Sequence, residues 1–124
     1  MKTDVNDIWE ALKGSLSALT PDLRVRKDEP QNFELAGTKE VMQGRQKVDG
    51  HYFASLVPKP KDVRFYFFPI YTHAEEFDGL SPEMQKALKG KSCFHIKKLS
   101  PEMEKEIQAM LGKGLELYQR DGLV

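Results

Sequence analysis

No stretch of the chain constrains its fold more than His51 to His73, HYFASLVPKPKDVRFYFFPIYTH. Two apolar runs flank the polar, proline-bearing segment Pro58-Lys59-Pro60-Lys61-Asp62, which predicts a strand, a turn and a second strand. Successive side chains of a strand point to opposite faces, so Phe65-Tyr66-Phe67-Phe68 puts aromatic rings on both sides of whatever sheet it joins. One face must floor a core. The other is covered as well, or is open for binding.

Helices must supply the cover. Val5, Ile8, Trp9, Leu12, Leu16 and Leu19 recur at spacings of three and four, which predicts an amphipathic helix over residues 4–19, capped by Thr3 and ended by Thr20-Pro21-Asp22. Leu23 to Lys27 alternates apolar and basic residues as a short strand with one wet face does, and Asp28 to Asn32 turns the chain. Phe33 to Ala36 and Val41-Met42 are weaker strand candidates, flanked by Gly37 and the polar run Gln43 to Gly50.

Ser81-Pro82-Glu83 carries a capping hydroxyl, a proline at the first helical position and a carboxylate at the positive end of the dipole. It opens a short helix running to Leu88 and closed by Gly90. Ser92 to Leu99 alternates as a strand. Ser100-Pro101-Glu102-Met103 then repeats the start signal and opens the last helix, with Met103, Ile107, Met110, Leu111, Leu115 and Tyr118 on one face and Gly122 as its stop. Nothing else around the repeat recurs, so it is shared capping chemistry and not a duplication. Gly114 lies on the packed face, where it lets the helix approach the sheet.

The expected fold is therefore α+β: a mainly antiparallel sheet of about five strands, with the amino- and carboxyl-terminal helices on one face and a short helix between strands. At 124 residues, one domain over 1–124 suffices. Nineteen basic side chains balance nineteen acidic ones, so no global field draws the chain to nucleic acid, and any such contact would need a local patch. Cys93 is the only cysteine, which excludes an intrachain disulfide and a Cys-rich zinc site and suits a reducing, cytoplasmic setting. Asp4, Asp7 and Glu10 interrupt what a leader would need, and no apolar run reaches the length of a membrane span, so no membrane partner is expected.

The run YFASLV, then VRFYFFPIYTH, then LKGKSCFHIKKL and a helix ending in LELYQRDGLV resembles the YdhG-like family of small bacterial domains, over residues from about 50 to the carboxyl terminus. Gly90 to Leu99, GKSCFHIKKL, is the most distinctive string. The resemblance implies an α+β fold like that of secretion chaperones, in the order helix, three strands, helix, two strands, helix. It also implies a frataxin-like handling of iron for some members, but no shared catalytic residues.

Several groups of residues are candidate sites. His73, Glu75, Glu76 and Asp78 collect an imidazole and three carboxylates, a donor set for iron or another divalent metal, with His51 or His95 as a further ligand. The simpler reading is a solvated acidic loop. Lys86, Lys89, Lys91, Lys97 and Lys98 lie together with no acidic residue among them, and read as a solvated face or as a patch for an anion or a single strand. Cys93 and His95 share a strand face without an orienting third group. Gly90-Lys91-Ser92 lacks the earlier glycine of a phosphate loop, and Gly112-Lys113-Gly114 lacks the third glycine of a dinucleotide fingerprint. Tyr52, Phe65, Phe67 and Tyr71, with His95 and Lys97, are the candidates for contact with a small molecule, a protein partner or a second copy in a homodimer. The expected function is a non-catalytic binding module, with metal handling as the alternative.

Overall fold

The structure is a computed structural model that describes residues 1–43 and 45–124; Gly44, inside the polar run Gln43 to Gly50, lies outside the described residues. Asp4, and not Thr3, caps the first helix, α1 (Val5–Ser17). Its carboxylate accepts the backbone N–H of Asn6 at 2.9 Å and of Asp7 at 3.2 Å, and its negative charge sits at the positive helix end. Ile8, Leu12 and Leu16 form the fully buried stripe of α1.

Among the described residues eight strands follow the helix: β1 (Arg24–Glu29), β2 (Asn32–Ala36), β3 (Val41–Gln43), β4 (Gln46–Val48), β5 (Tyr52–Pro58), β6 (Val63–Phe67), β7 (Leu88–Lys89) and β8 (Cys93–Ile96). Among the described residues, six of them make one antiparallel sheet in the order β1-β2-β5-β6-β8-β7, while β3 and β4 pair only with each other. The chain thus has the expected α+β fold with six strands in its main sheet where about five were expected. β4 escapes a pattern reading because Gln46-Lys47-Val48 stands outside the core and needs no apolar alternation. β7 escapes it because two residues are too few to show a period. Gly90, at φ +87°, turns the chain from β7 into β8.

The second apolar run stops being a strand at Phe67. Pro69 fixes φ and offers no N–H to a ladder, so Pro69–Thr72 winds into the helical turn α2, and Ala74–Phe77 continues as a 3-10 turn. α3 (Pro82–Ala87) and α4 (Pro101–Arg120) start at the two Ser-Pro-Glu signals, where the Ser81 and Ser100 hydroxyls accept the backbone N–H groups of Met84 at 3.2 Å and Met103 at 3.1 Å. α4 ends in a glycine cap: Gly122 takes φ +73°, and the Leu123 N–H returns to the Tyr118 carbonyl at 2.9 Å.

The register separates the two faces of the sheet. Leu56, Phe65 and Phe94 stand opposite one another across β5, β6 and β8, and all three are fully buried. The neighbouring row, Ser55, Tyr66 and Cys93, and the next, Val57, Arg64 and His95, lie on the side of the sheet opposite that buried row. α4 lies close over the buried face because Gly114 has no side chain: a Cβ there would stand 2.9 Å from Phe67 Cζ and 3.0 Å from Phe53 Cε1. Tyr118, fully buried near the end of α4, donates its hydroxyl to the Tyr52 carbonyl and ties that helix to β5.

Candidate functional site

The aromatic candidates divide between the two faces. Phe65 and Phe67 are fully buried under the helices, so they belong to the core and no ligand can reach them. Tyr52 lies on the outer side, its hydroxyl 2.5 Å from Ser55 Oγ, and burial pushes its pKa up to about 12. Tyr71 is 51% exposed, but it stands on α2, where the Lys91 ammonium sits 5.4 Å from its ring. The charges of the outer face pair with one another: Arg26 Nε meets Glu34 Oε2 at 2.5 Å, and Arg64 Nε meets Asp62 Oδ1 at 2.8 Å.

The acidic loop does not assemble as a ligand set. His73 Nε2 lies 2.7 Å from Asp121 Oδ2 and its Nδ1 lies 2.8 Å from Thr72 Oγ1, so both ring nitrogens are engaged. Glu76 Oε1 pairs with Lys113 Nζ at 3.1 Å, while Glu75 and Asp78 point to solvent. His51 turns to the Tyr118 hydroxyl at 3.0 Å, and His95 Nδ1 approaches Asp62 Oδ2 at 3.9 Å. Among the described residues no group of three or more His, Cys, Asp or Glu side chains has metal-binding proximity. Cys93 is half-buried, and burial raises its thiol pKa, which disfavours the reactive thiolate.

The basic residues, by contrast, converge. A cleft of about 280 Å³ opens at the β7–β8 end of the sheet, walled by α3, the two short strands and the first turn of α4. Lys86, Lys89, Lys97 and Lys98 surround it; His95 stands in one wall, Ala87 and Met103 supply apolar surface, and Glu83 is its one carboxylate. Lys91, the fifth lysine of the sequence cluster, leaves for Tyr71. Ion pairs within 4 Å engage Lys2, Lys13, Lys47 and Lys113 elsewhere on the molecule, but among the described residues none of the four cleft lysines has one. Four unpaired ammonium groups around one concavity focus a positive potential that the balanced net charge of the whole chain conceals.

His95 is tuned by the same surroundings. Partial burial first, then the Arg64 guanidinium, and more weakly Lys89 and Lys97, hold its pKa below the ordinary histidine value, while Asp62 pulls the other way. The shift favours the neutral ring, which offers one N–H and one acceptor nitrogen.

A clasp that pattern reading misses fixes the α3 wall. The Ser81 N–H and hydroxyl both donate to Glu106, at 2.8 Å to Oε2 and 2.6 Å to Oε1, anchoring the start of α3 to the middle of α4. The sequence marks Ser81 as a cap, but nothing local joins it to Glu106, 25 positions away. The larger concavity between α1 and α4, about 470 Å³, is lined by small residues such as Ala11, Gly14, Ala18 and Gly112 and gathers no comparable charge. No helix of the described residues is long and apolar enough to cross a membrane. No protein-family model, curated protein or solved structure matches the chain.

Proposed function

We propose that the protein is a non-catalytic binding module for a small anionic molecule held in the cleft between α3, β7–β8 and the start of α4. The observation that carries this reading is the ring of four unpaired lysines, with His95, around a concavity floored by Ala87 and Met103. Unpaired cations held near one another repel, and an anion between them removes that repulsion while gaining several charge-assisted hydrogen bonds. A divalent metal would meet the opposite field. An oligonucleotide would need a groove with aromatic platforms, whereas this cleft is short and presents only the imidazole of His95.

Titration calorimetry with inorganic pyrophosphate tests the reading. One saturable site is expected, with affinity falling about tenfold between low and physiological ionic strength, because exposed ammonium groups are screened by salt. Heat that never saturates, or an affinity indifferent to salt, contradicts it.

A further inference from the structure

Resting on that reading, we infer that the cleft takes a small phosphomonoester, with the phosphoryl group among the lysines and its organic body over Met103 and Ala87. Three observations converge on this ligand class.

The first is charge. Four ammonium groups against the single carboxylate of Glu83 leave an excess of three positive charges, which a dianion offsets better than a monoanion. The second is the kind of cation. Among the described residues no guanidinium lines the cleft, and Arg64, next to His95 on the outer face, is already held by Asp62 at 2.8 Å. Arginine's planar fork matches a carboxylate edge to edge, whereas separate ammonium points suit a tetrahedral group approached from several directions. The third is the surface that is not charged. Met103 and Ala87 face an anion site with apolar atoms, and a thioether on an unbranched stem adapts to differently shaped bodies. At about 280 Å³ the cleft lies just below the usual range of small-molecule sites, roughly 300–1,000 Å³, enough for a phosphate and one ring or short chain.

The same phosphomonoester chemistry occurs on free small molecules and on phosphorylated side chains, and the limited volume favours the free molecule. Calorimetry on the full chain at pH 7.5 with phenyl phosphate, inorganic phosphate, benzoate and a short phosphotyrosine peptide separates the alternatives. Phenyl phosphate is expected to bind about tenfold tighter than inorganic phosphate, the effect of removing roughly 50–60 Å² of apolar surface from water. It should also bind about tenfold tighter than benzoate, which has the ring but a single charge, and at least as tightly as the peptide.

Benzoate matching phenyl phosphate would overturn the phosphomonoester assignment and leave the anion site standing. Inorganic phosphate matching phenyl phosphate would remove the apolar half of the proposal, and tighter binding of the peptide would replace the free molecule with a phosphorylated protein. If neither these probes nor pyrophosphate binds, both readings fall. Met103→Gln should bring the phenyl phosphate to inorganic phosphate ratio close to one, and Ala87→Ser should lower it if the first variant does not fold. A ratio unchanged in a folded variant contradicts the placement of the organic body.

Discussion

Replacing Phe67 with alanine is expected to destabilise the protein by about 3–5 kcal/mol, whereas Phe68→Ala should cost about 1–2 kcal/mol. The two rings are adjacent in sequence and nearly equal in hydrophobicity; only the face of the sheet distinguishes them. Phe67 has no exposed surface, and its ring meets Phe77 at 5.2 Å, Phe53 at 5.7 Å and Phe65 at 5.7 Å between centroids. It also fills the space that Gly114 leaves beneath α4. The helix cannot easily settle into the resulting hole, since the Tyr118 hydroxyl and the Ser81–Glu106 clasp fix its position at two other points. Phe68 is half-buried among His51, Tyr52 and Tyr71, and water can fill much of what it vacates. Urea denaturation should show the midpoint of Phe67→Ala falling sharply with little change in slope. Equal losses in the two variants would contradict the assignment of the faces.

The aromatic stretch was legible as a hairpin, and the start signals at Ser81 and Ser100, the close approach at Gly114 and the stop at Gly122 were legible as local chemistry. Each of those features is settled by residues within a few positions of one another. What could not be read locally was which aromatic face the helices would take, because Phe65-Tyr66-Phe67-Phe68 is apolar on both sides. Register and helix packing place Phe65 and Phe67 inside, while Tyr66 falls on the outer face. The cleft was illegible for a related reason. Its lysines form a visible cluster in the sequence, but a run of lysines describes an exposed face equally well. Only the turn at Gly90 and the clasp between Ser81 and Glu106 fold four of the five around a cavity and send Lys91 elsewhere. His95 and Lys97, picked out from the sequence, line that cavity; His73, Glu75, Glu76 and Asp78 do not assemble around a common point.

Reversing two of the cleft charges, Lys89→Glu with Lys97→Glu, is expected to weaken binding of phenyl phosphate by about a hundredfold or more. Two attractions are lost and two repulsions are added within a few ångströms of a dianion, at an effective dielectric well below that of water. Both side chains are exposed and neither has an ion-pair partner among the described residues, so folding stability should stay within about 0.5 kcal/mol. Lys27→Glu with Lys39→Glu, two exposed lysines on β1 and just after β2 at the opposite edge of the sheet, changes the net charge equally and serves as the comparison. Binding there should hold within about twofold, since exposed charges beyond a Debye length are largely screened at physiological salt. Equal losses in both variants would mean that the whole protein's charge, and not the cleft, attracts the anion.

The most direct test of the anion site is the titration of His95, followed through its imidazole proton signals with and without saturating phenyl phosphate. In the empty protein partial burial, Arg64 and then the nearby lysines keep the folded pKa below the unfolded one, so the unfolded chain takes up the proton first as pH falls. The stability that follows is present above the unfolded value of about 6.5 and is lost as pH falls through the folded value. A dianion among Lys86, Lys89, Lys97 and Lys98 reverses the local field, so bound phosphomonoester should raise the pKa of His95. A His95 titration that does not move at saturation would contradict the account.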